Sequence, residues 1–404
     1  MNEHPRNISI GTYSYHLPDE RIARFPLEKR AQSKLLVYKN GAIHENVYDQ
    51  LDKEIPANSL LVFNNTKVVE ARLYFTKSTG STIEIFCLEP AESYADITSA
   101  MLQQNRVVWK CLVGGAKKWK DEALVKELHY NGTQILFSAQ KTEKRNDYFL
   151  IEFSWSGNVS FAEILHLAGE IPLPPYLNRK TELSDNERYQ TVYAAFEGSV
   201  AAPTAGLHFT PSLLKKLAEK NIRQQYLTLH VGAGTFKPVK ADTMQQHEMH
   251  AEFFEVQHQL IEQLLQSRNE KIVAVGTTSL RTLESLYWLG VKLLSGKGFG
   301  SLQQWECYSL AQHFTVDDAM NALLDFMRKN HYEILYGKTQ IIIAPGYQLK
   351  VAHGIVTNFH QPNSTLLLLV AAVVGEDWKK IYDYALQNNF RFLSYGDGSL
   401  LWNK

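Results

Sequence analysis

Twice in the second half of the chain an apolar strand runs into a short polar turn and straight on into an apolar helix. Lys271-Ile-Val-Ala-Val275 leads through Gly276-Thr277-Thr278-Ser279 into a helix expected over Leu280–Leu289. Ile355-Val-Thr-Asn-Phe359 leads through His360-Gln-Pro-Asn-Ser-Thr365 into a helix from Leu366. Such units return the chain by a crossover, and crossovers build a mainly parallel sheet with helices on its faces. A strand over Ile222–His230 and a helix over Leu260–Ser267 extend the alternation. The expected class is α/β, and in such sheets ligands gather where the loops leave the carboxyl ends of the strands.

The first half reads differently. Leu60-Leu-Val-Phe-Asn-Asn-Thr66 is a buried strand ending in a turn. From Arg72 to Trp155 short β patterns take over at Thr82–Leu88, Val107–Val113, Gln134–Ser138 and Tyr148–Phe153, with an Asn131-Gly132 turn signal before the third. This predicts a small all-β barrel domain over residues 72–155, inserted into an α/β domain made of 1–71 and 156–404. Lys110, Lys117, Lys118, Lys120 and Lys126, interleaved with Trp109 and Trp119, form the densest basic patch here. A solvated face is favoured over RNA contact for it. Ile171-Pro-Leu-Pro-Pro-Tyr176 cannot be a helix interior or a central strand, so it is an ordered crossing.

Composition closes off several classes. The longest apolar run, Leu366–Val374, is about half of the roughly 20 residues a membrane helix needs. The start of the sequence, Met1 to Arg6, has no signal-peptide core, so a cytoplasmic location is expected. Cys87, Cys111 and Cys307 lack the spacing of a zinc or disulfide framework. With 42 basic and 42 acidic residues the charge balances, so any RNA contact must be local.

Polar groups cluster at the turns. The Gly276–Ser279 turn offers amides and hydroxyls, and Arg281 can fork onto an anion. The plainer reading is that Thr278 or Ser279 caps the helix. Thr228-Leu-His230-Val-Gly232-Ala-Gly234-Thr235-Phe236 ends a strand with two glycines that permit close backbone approach. Ala202-Pro-Thr204-Ala-Gly206-Leu-His208-Phe209 precedes a helix signalled by Thr210 as N-cap and Pro211 at its first position. His247-Glu248-Met249-His250-Ala251-Glu252 invites a metal reading, but its histidines stand at i and i+3 where a helical zinc pair needs i and i+4. Surface histidines, proton transfer or substrate binding are the readings left open. Gly290–Lys297 has the wrong spacing for a P-loop, and Gly298 stands where Ser or Thr is needed. There is no Gly-x-Ser-x-Gly elbow.

Taken in order, seven segments resemble the signature of the S-adenosylmethionine:tRNA ribosyltransferase-isomerases. They are Glu170-Ile-Pro-Leu-Pro-Pro-Tyr176, Arg188-Tyr-Gln-Thr-Val-Tyr193, Ala201-Ala-Pro-Thr-Ala-Gly-Leu-His-Phe-Thr210, Thr228–Phe236, Gly276-Thr-Thr-Ser-Leu-Arg-Thr-Leu-Glu-Ser285, Thr357-Asn-Phe-His360 and Ser394-Tyr-Gly-Asp397. The likeness extends through Tyr15-His-Leu-Pro18, Phe25-Pro-Leu-Glu-Lys-Arg30 and Leu60–Thr66, covering nearly the whole chain. Asn65, Lys67, Glu70, Ala233, Gln361 and Asn363 depart from the family pattern, which has aspartate, arginine, proline, leucine, a hydrophobic residue and lysine there.

The resemblance implies an α/β domain with an inserted β-barrel and a transferase that consumes S-adenosylmethionine. Its ribosyl group is transferred to 7-aminomethyl-7-deazaguanine at the tRNA wobble position and isomerised, giving epoxyqueuosine, adenine and methionine. The sulfonium acidifies the C5′ hydrogens, so the protein must supply a base, an acid for adenine and a dry pocket. The expected catalytic residues are His208, His230, His250 and Asp397. Thr204, Gly232, Gly234, Thr235, Thr277, Thr278, Arg281, Asn358 and His360 are expected to bind substrate, Arg281 by pairing with the methionine carboxylate. No metal and no further cofactor are expected, and the chain is expected to be a monomer. The alternatives are a paralogue with altered RNA or substrate specificity and a non-catalytic RNA-binding homologue.

Overall fold

The computed structural model describes residues 4–94, 96–120, 122–145, 147–232, 239 and 241–403. A nine-stranded sheet forms its backbone. Across the sheet the strands are Ile334–Thr339, Glu252–Gln257, Arg223–Leu229, Leu60–Asn64, Ile272–Val275, Gly354–Asn358, Gly398–Trp402, Lys34–Lys39 and Ala42–Val47. The middle four, from Arg223–Leu229 to Gly354–Asn358, run parallel. The flanks depart from the mainly parallel expectation, because Glu252–Gln257, Ile334–Thr339 and Gly398–Trp402 pair antiparallel with their inner neighbours. Lys34–Lys39 pairs parallel with Gly398–Trp402 and forms a tight hairpin with Ala42–Val47. The sheet is therefore mixed.

Strand composition explains the layering. Leu60–Asn64, Ile272–Val275 and Gly354–Asn358 are buried at every position, as strands covered on both faces must be. Their side chains alternate: Leu60, Val62, Ala274 and Ile355 join the larger core, while Leu61, Phe63, Val273 and Val356 face the opposite layer with Leu213 and Leu217. The helix Pro211–Glu219 supplies those leucines, and Thr210 caps it by accepting from the Leu213 amide at 3.2 Å. On the larger face the helix Thr277–Leu294 is buried from Ser279 to Lys292 and crosses the helix Val316–Asn330. No helix among the described residues is long and apolar enough to cross a membrane.

A second, seven-stranded antiparallel sheet is built from Gly169–Glu170, Arg72–Thr76, Thr82–Pro90, Arg106–Gly114, Phe149–Trp155, Thr133–Lys144 and Leu124–Tyr130, in that order. The four expected strands are present. The sequence reading missed Leu124–Tyr130, whose hairpin with Thr133–Lys144 turns through Asn131 and Gly132, both at positive φ as an Asn-Gly hairpin requires. This sheet curls around its own core, into which the helix Phe161–Ala168 sets Phe161 against Trp109, Phe153 and Trp155. Trp109 and Trp119 are core residues, so they are not a stacking surface interleaved with the lysines. Lys110 pairs with Glu89 at 2.9 Å and Lys126 donates to the Ala168 carbonyl at 3.1 Å, leaving Lys117, Lys118 and Lys120 as the exposed part of that patch. Cys87 and Cys111, distant in sequence, face one another across two strands with their sulfurs 4.0 Å apart.

The crossing of the two long helices depends on Gly290, where a Cβ would stand 2.3 Å from the Ala319 carbonyl oxygen. Alanine is the better helix former by about 1 kcal/mol. We nonetheless expect Gly290→Ala to lose about 1–3 kcal/mol by overpacking in urea denaturation. A variant as stable as the parent would show that the crossing is loose.

Candidate active site

The four parallel strands end on one edge, and the loops that follow them meet there. Asn64, the last residue of Leu60–Asn64, is fully buried, and its amide ties three elements together. Its Nδ2 donates to the Leu229 carbonyl at 2.9 Å and to Thr278 Oγ1 at 3.2 Å. Its Oδ1 accepts from the Leu229 and Thr66 amides at 3.0 and 3.2 Å. Sequence reading did not select Asn64, although a lone amide closing the apolar run Leu60-Leu-Val-Phe is a visible signal.

Around this anchor the expected residues assemble. Gly276 joins Ile272–Val275 to its helix at φ 92°, a conformation that suits glycine, and sits against Ala205. The helix begins at Thr277, earlier than Leu280. Neither Thr278 nor Ser279 caps it: Thr278 meets Asn64, and Ser279 Oγ donates to the Val275 carbonyl at 2.8 Å. The first helical amides thus carry no side-chain cap, and they lie at an edge suited to a polar ligand. Thr204 Oγ1 donates to Asn358 Oδ1 at 2.7 Å, and Asn358 Nδ2 meets His208 Nε2 at 3.4 Å. His208 stacks on Tyr48, with ring centroids 4.2 Å apart. Burial drives its pKa down to about 3, against a backbone hydrogen bond at Arg30 that favours the charged form. His208 is therefore a neutral imidazole at neutral pH.

His360 is held the same way. Its Nε2 meets Thr357 Oγ1 at 2.9 Å, its amide donates to the Tyr382 hydroxyl at 3.0 Å, and burial drops its pKa to about 3. Its carbonyl accepts from Tyr15, which explains why the N-terminal Tyr15-His-Leu-Pro18 segment reaches this edge. His230 is buried, with Nδ1 3.3 Å from Thr66 Oγ1 and Nε2 3.6 Å from Glu255 Oε1. Gly232 follows two residues later, while Gly234 and Thr235 lie outside the described residues.

Three expected residues do other work. Arg281 is buried in an ion pair with Glu252 and donates from Nε to the Ile341 carbonyl at 3.2 Å, leaving Nη2 without a partner. Two of its three guanidinium nitrogens are thus engaged by protein groups. Glu284, the acid nearest in sequence, does not pair with it. Its buried carboxylate accepts from the Lys350, Val351 and Ala352 amides and the Tyr347 hydroxyl. Asp397 accepts from the Lys34 and Arg391 amides at 2.9 and 2.8 Å, and burial raises its pKa. It staples chain segments beneath His208. His250 is exposed and makes no hydrogen bond into the network, and Glu252 from the same cluster is taken by Arg281. Among the described residues no group of three or more His, Cys, Asp or Glu could hold a metal ion.

Two family departures acquire physical accounts. Asn363 adopts φ 54°, a left-handed conformation that asparagine tolerates better than lysine, and Lys67 pairs with Glu197 at 2.8 Å.

Fold and site together define an α/β protein with a candidate ligand edge at the carboxyl ends of parallel strands. That edge is lined by hydroxyls, amides and neutral imidazoles, a lining suited to a polar substrate rich in hydrogen-bonding groups. The model of the queuosine biosynthesis protein family matches residues 10–401. A relative from Halothermothrix orenii, named S-adenosylmethionine:tRNA ribosyltransferase-isomerase, is 36% identical over 406 residues, spanning 98% of this chain and 100% of the relative. A crystal structure of an S-adenosylmethionine tRNA ribosyltransferase from Thermotoga maritima is 27% identical, covers 96% of this chain and 99% of its own, and aligns with a TM-score of 0.45. The chain belongs to the queuosine biosynthesis protein family.

Removing the Arg281 guanidinium would leave the Glu252 carboxylate buried and unpaired, so Arg281→Ala should lose about 3–5 kcal/mol of stability in denaturant melts. Arg281→Met combined with Glu252→Gln should recover most of it. A fully stable Arg281→Ala with weakened S-adenosylmethionine binding would instead make Arg281 the carboxylate holder.

Proposed function

We propose that this chain is an S-adenosylmethionine-consuming tRNA ribosyltransferase-isomerase that forms epoxyqueuosine from 7-aminomethyl-7-deazaguanine at the wobble position. The observation that carries the reading is the match of 36% identity over essentially the full length of a relative bearing that name. The polar edge described above supports it. Thr204, Gly232, Thr277, Thr278, Asn358 and His360 are the residues we assign to substrate, with Gly234 and Thr235 following from the motif alone. Cytoplasmic residence follows from a tRNA substrate. We further propose that residues 72–155 form an inserted barrel module between 1–71 and 156–404. The helix Phe161–Ala168 and the strand Gly169–Glu170, which pairs with Arg72–Thr76, share its core and extend it.

The reaction begins with loss of a C5′ proton beside the sulfonium. Adenine then leaves with a proton, the aminomethyl nitrogen attacks, and epoxide closure expels methionine. His230 is the group we assign to proton transfer. It is buried, its Nε2 has no hydrogen-bond partner among the described residues, and Glu255 stands close enough to stabilise the imidazolium that forms on proton uptake. His208, held neutral and hydrogen-bonded to Asn358, orients the substrate loop and carries no charge into the pocket. Arg281 acts from behind, fixing the helix through Glu252, and Asp397 fixes the segment under His208.

Adenine release from S-adenosylmethionine and precursor-bearing tRNA tests the reading. Wild type should release adenine only when both substrates are present. His230→Asn should slow release by about 10²- to 10⁴-fold, the range of a general acid–base group. Glu255→Gln should slow it less and shift the pH profile. Wild type that releases no adenine would overturn the function, and a fully active His230→Asn would overturn the assignment alone.

A further inference from the structure

Beside His208 lies a narrow crevice lined by Arg30, Arg188, Ser33, Leu207, His208 and Tyr395. Its two guanidinium groups are fixed by backbone carbonyls. Arg30 Nη1 donates to Gln190 at 3.1 Å, and Arg188 donates from Nη1 to Glu28 at 3.2 Å and from Nη2 to Leu27. Carbonyls orient a guanidinium without neutralising it. Among the described residues neither group sits in an ion pair, whereas the nearby Arg179 and Arg391 have Asp185 and Asp397. The Nε of Arg188 is buried with no partner among the described residues. Arg30 is held below the usual guanidinium range, first by burial and then by the charge of Arg188, with Glu187 and Tyr395 opposing.

Two fixed like charges with a spare buried donor are costly unless an anion joins them. We propose that this crevice is an oxyanion site, taking one phosphate or carboxylate group of a substrate whose reacting part lies across His208 at the strand edge. Several observations converge on it. The guanidinium groups are pre-oriented, as tight oxyanion binding needs. The imidazole of His208 lines the crevice and is neutral, so the two guanidinium groups supply the crevice's positive charge. The His208 Nε2 contact with Asn358 joins the two places physically. The same chemistry could come from a tRNA phosphate or from the carboxylate of S-adenosylmethionine. The choice between these sources rests on the proposed function, whereas the site itself does not.

The test uses the full chain with Arg188→Gln and the double variant Arg30→Gln/Arg188→Gln, both checked for parental melting temperature. Unmodified tRNA transcript is titrated by anisotropy across a potassium chloride series, and S-adenosylmethionine by calorimetry. A phosphate site predicts tRNA affinity reduced about tenfold, a log–log salt slope shallower by about 1, and unchanged S-adenosylmethionine affinity. A carboxylate site predicts S-adenosylmethionine affinity reduced about ten- to a hundredfold with tRNA unchanged. Folded variants that bind both ligands like wild type would overturn the site. Should wild type bind neither, the proposed function fails, and inorganic phosphate at constant ionic strength then decides the site. A rise in melting temperature seen in wild type and lost in the double variant supports it, and equal responses end it. If the Gln variants unfold, Arg188→Lys, which keeps charge but loses the fork, replaces them in the same titrations, where parental binding again refutes the fork.

Discussion

The buried amide of Asn64 is the interaction on which the site depends. Parallel strands align their carboxyl ends only approximately, and loops leaving them are free to splay. One side chain that satisfies both backbone groups of Leu229, the amide of Thr66 and the hydroxyl of Thr278 fixes two strands and a helix start in mutual register. A buried polar network of this kind is rigid when complete and expensive when a member is missing. Thr66 then positions His230, and Thr278 positions the opening turn of the long helix. Asparagine is suited to the place because it both donates and accepts, which an aspartate cannot do in its ionised form.

A second layer of buried polar groups is engaged with other parts of the protein. Arg281 with Glu252, Glu284 with three consecutive amides, and Asp397 with two more are charges spent on holding loops. They are easily mistaken for chemistry, because catalytic and structural groups use the same residue types at the same edge. Glu284 and Asp397 have both carboxylate oxygens filled, whereas Arg281, paired with Glu252, still keeps its Nη2 without a partner among the described residues. Asp397 receives an amide on each oxygen, while His230 retains an unsatisfied nitrogen and Arg188 an unsatisfied donor.

Much of the frame was legible in the sequence. The apolar runs at Leu60, Lys271 and Ile355 were long enough and punctuated clearly enough to give central strands, and Thr210-Pro211 marked a helix start correctly. Local pattern could not give pairing direction at the flanks, because a strand such as Glu252–Gln257 has the same composition whether it pairs parallel or antiparallel. The strand Leu124–Tyr130 was hidden by its charged, exposed alternation. Partners distant in sequence were illegible for the same reason: nothing near Arg281 says that its acid is Glu252, twenty-nine residues upstream. Thr204, His208, Asn358, Thr278 and His230 were recognisable as polar heads on turns, and the structure joins them. His250 shared that local character but faces solvent.

The central claim is that substrate binds where the four parallel strands end. Amide hydrogen exchange of the full chain with and without S-adenosylmethionine tests it most directly, since protection reports where ligand orders the backbone. The account predicts added protection at Leu229–Gly232, Gly276–Ser279 and Asn358–His360. Protection confined to the polar groove around Trp305 and Gln304, with the strand ends unchanged, would contradict it.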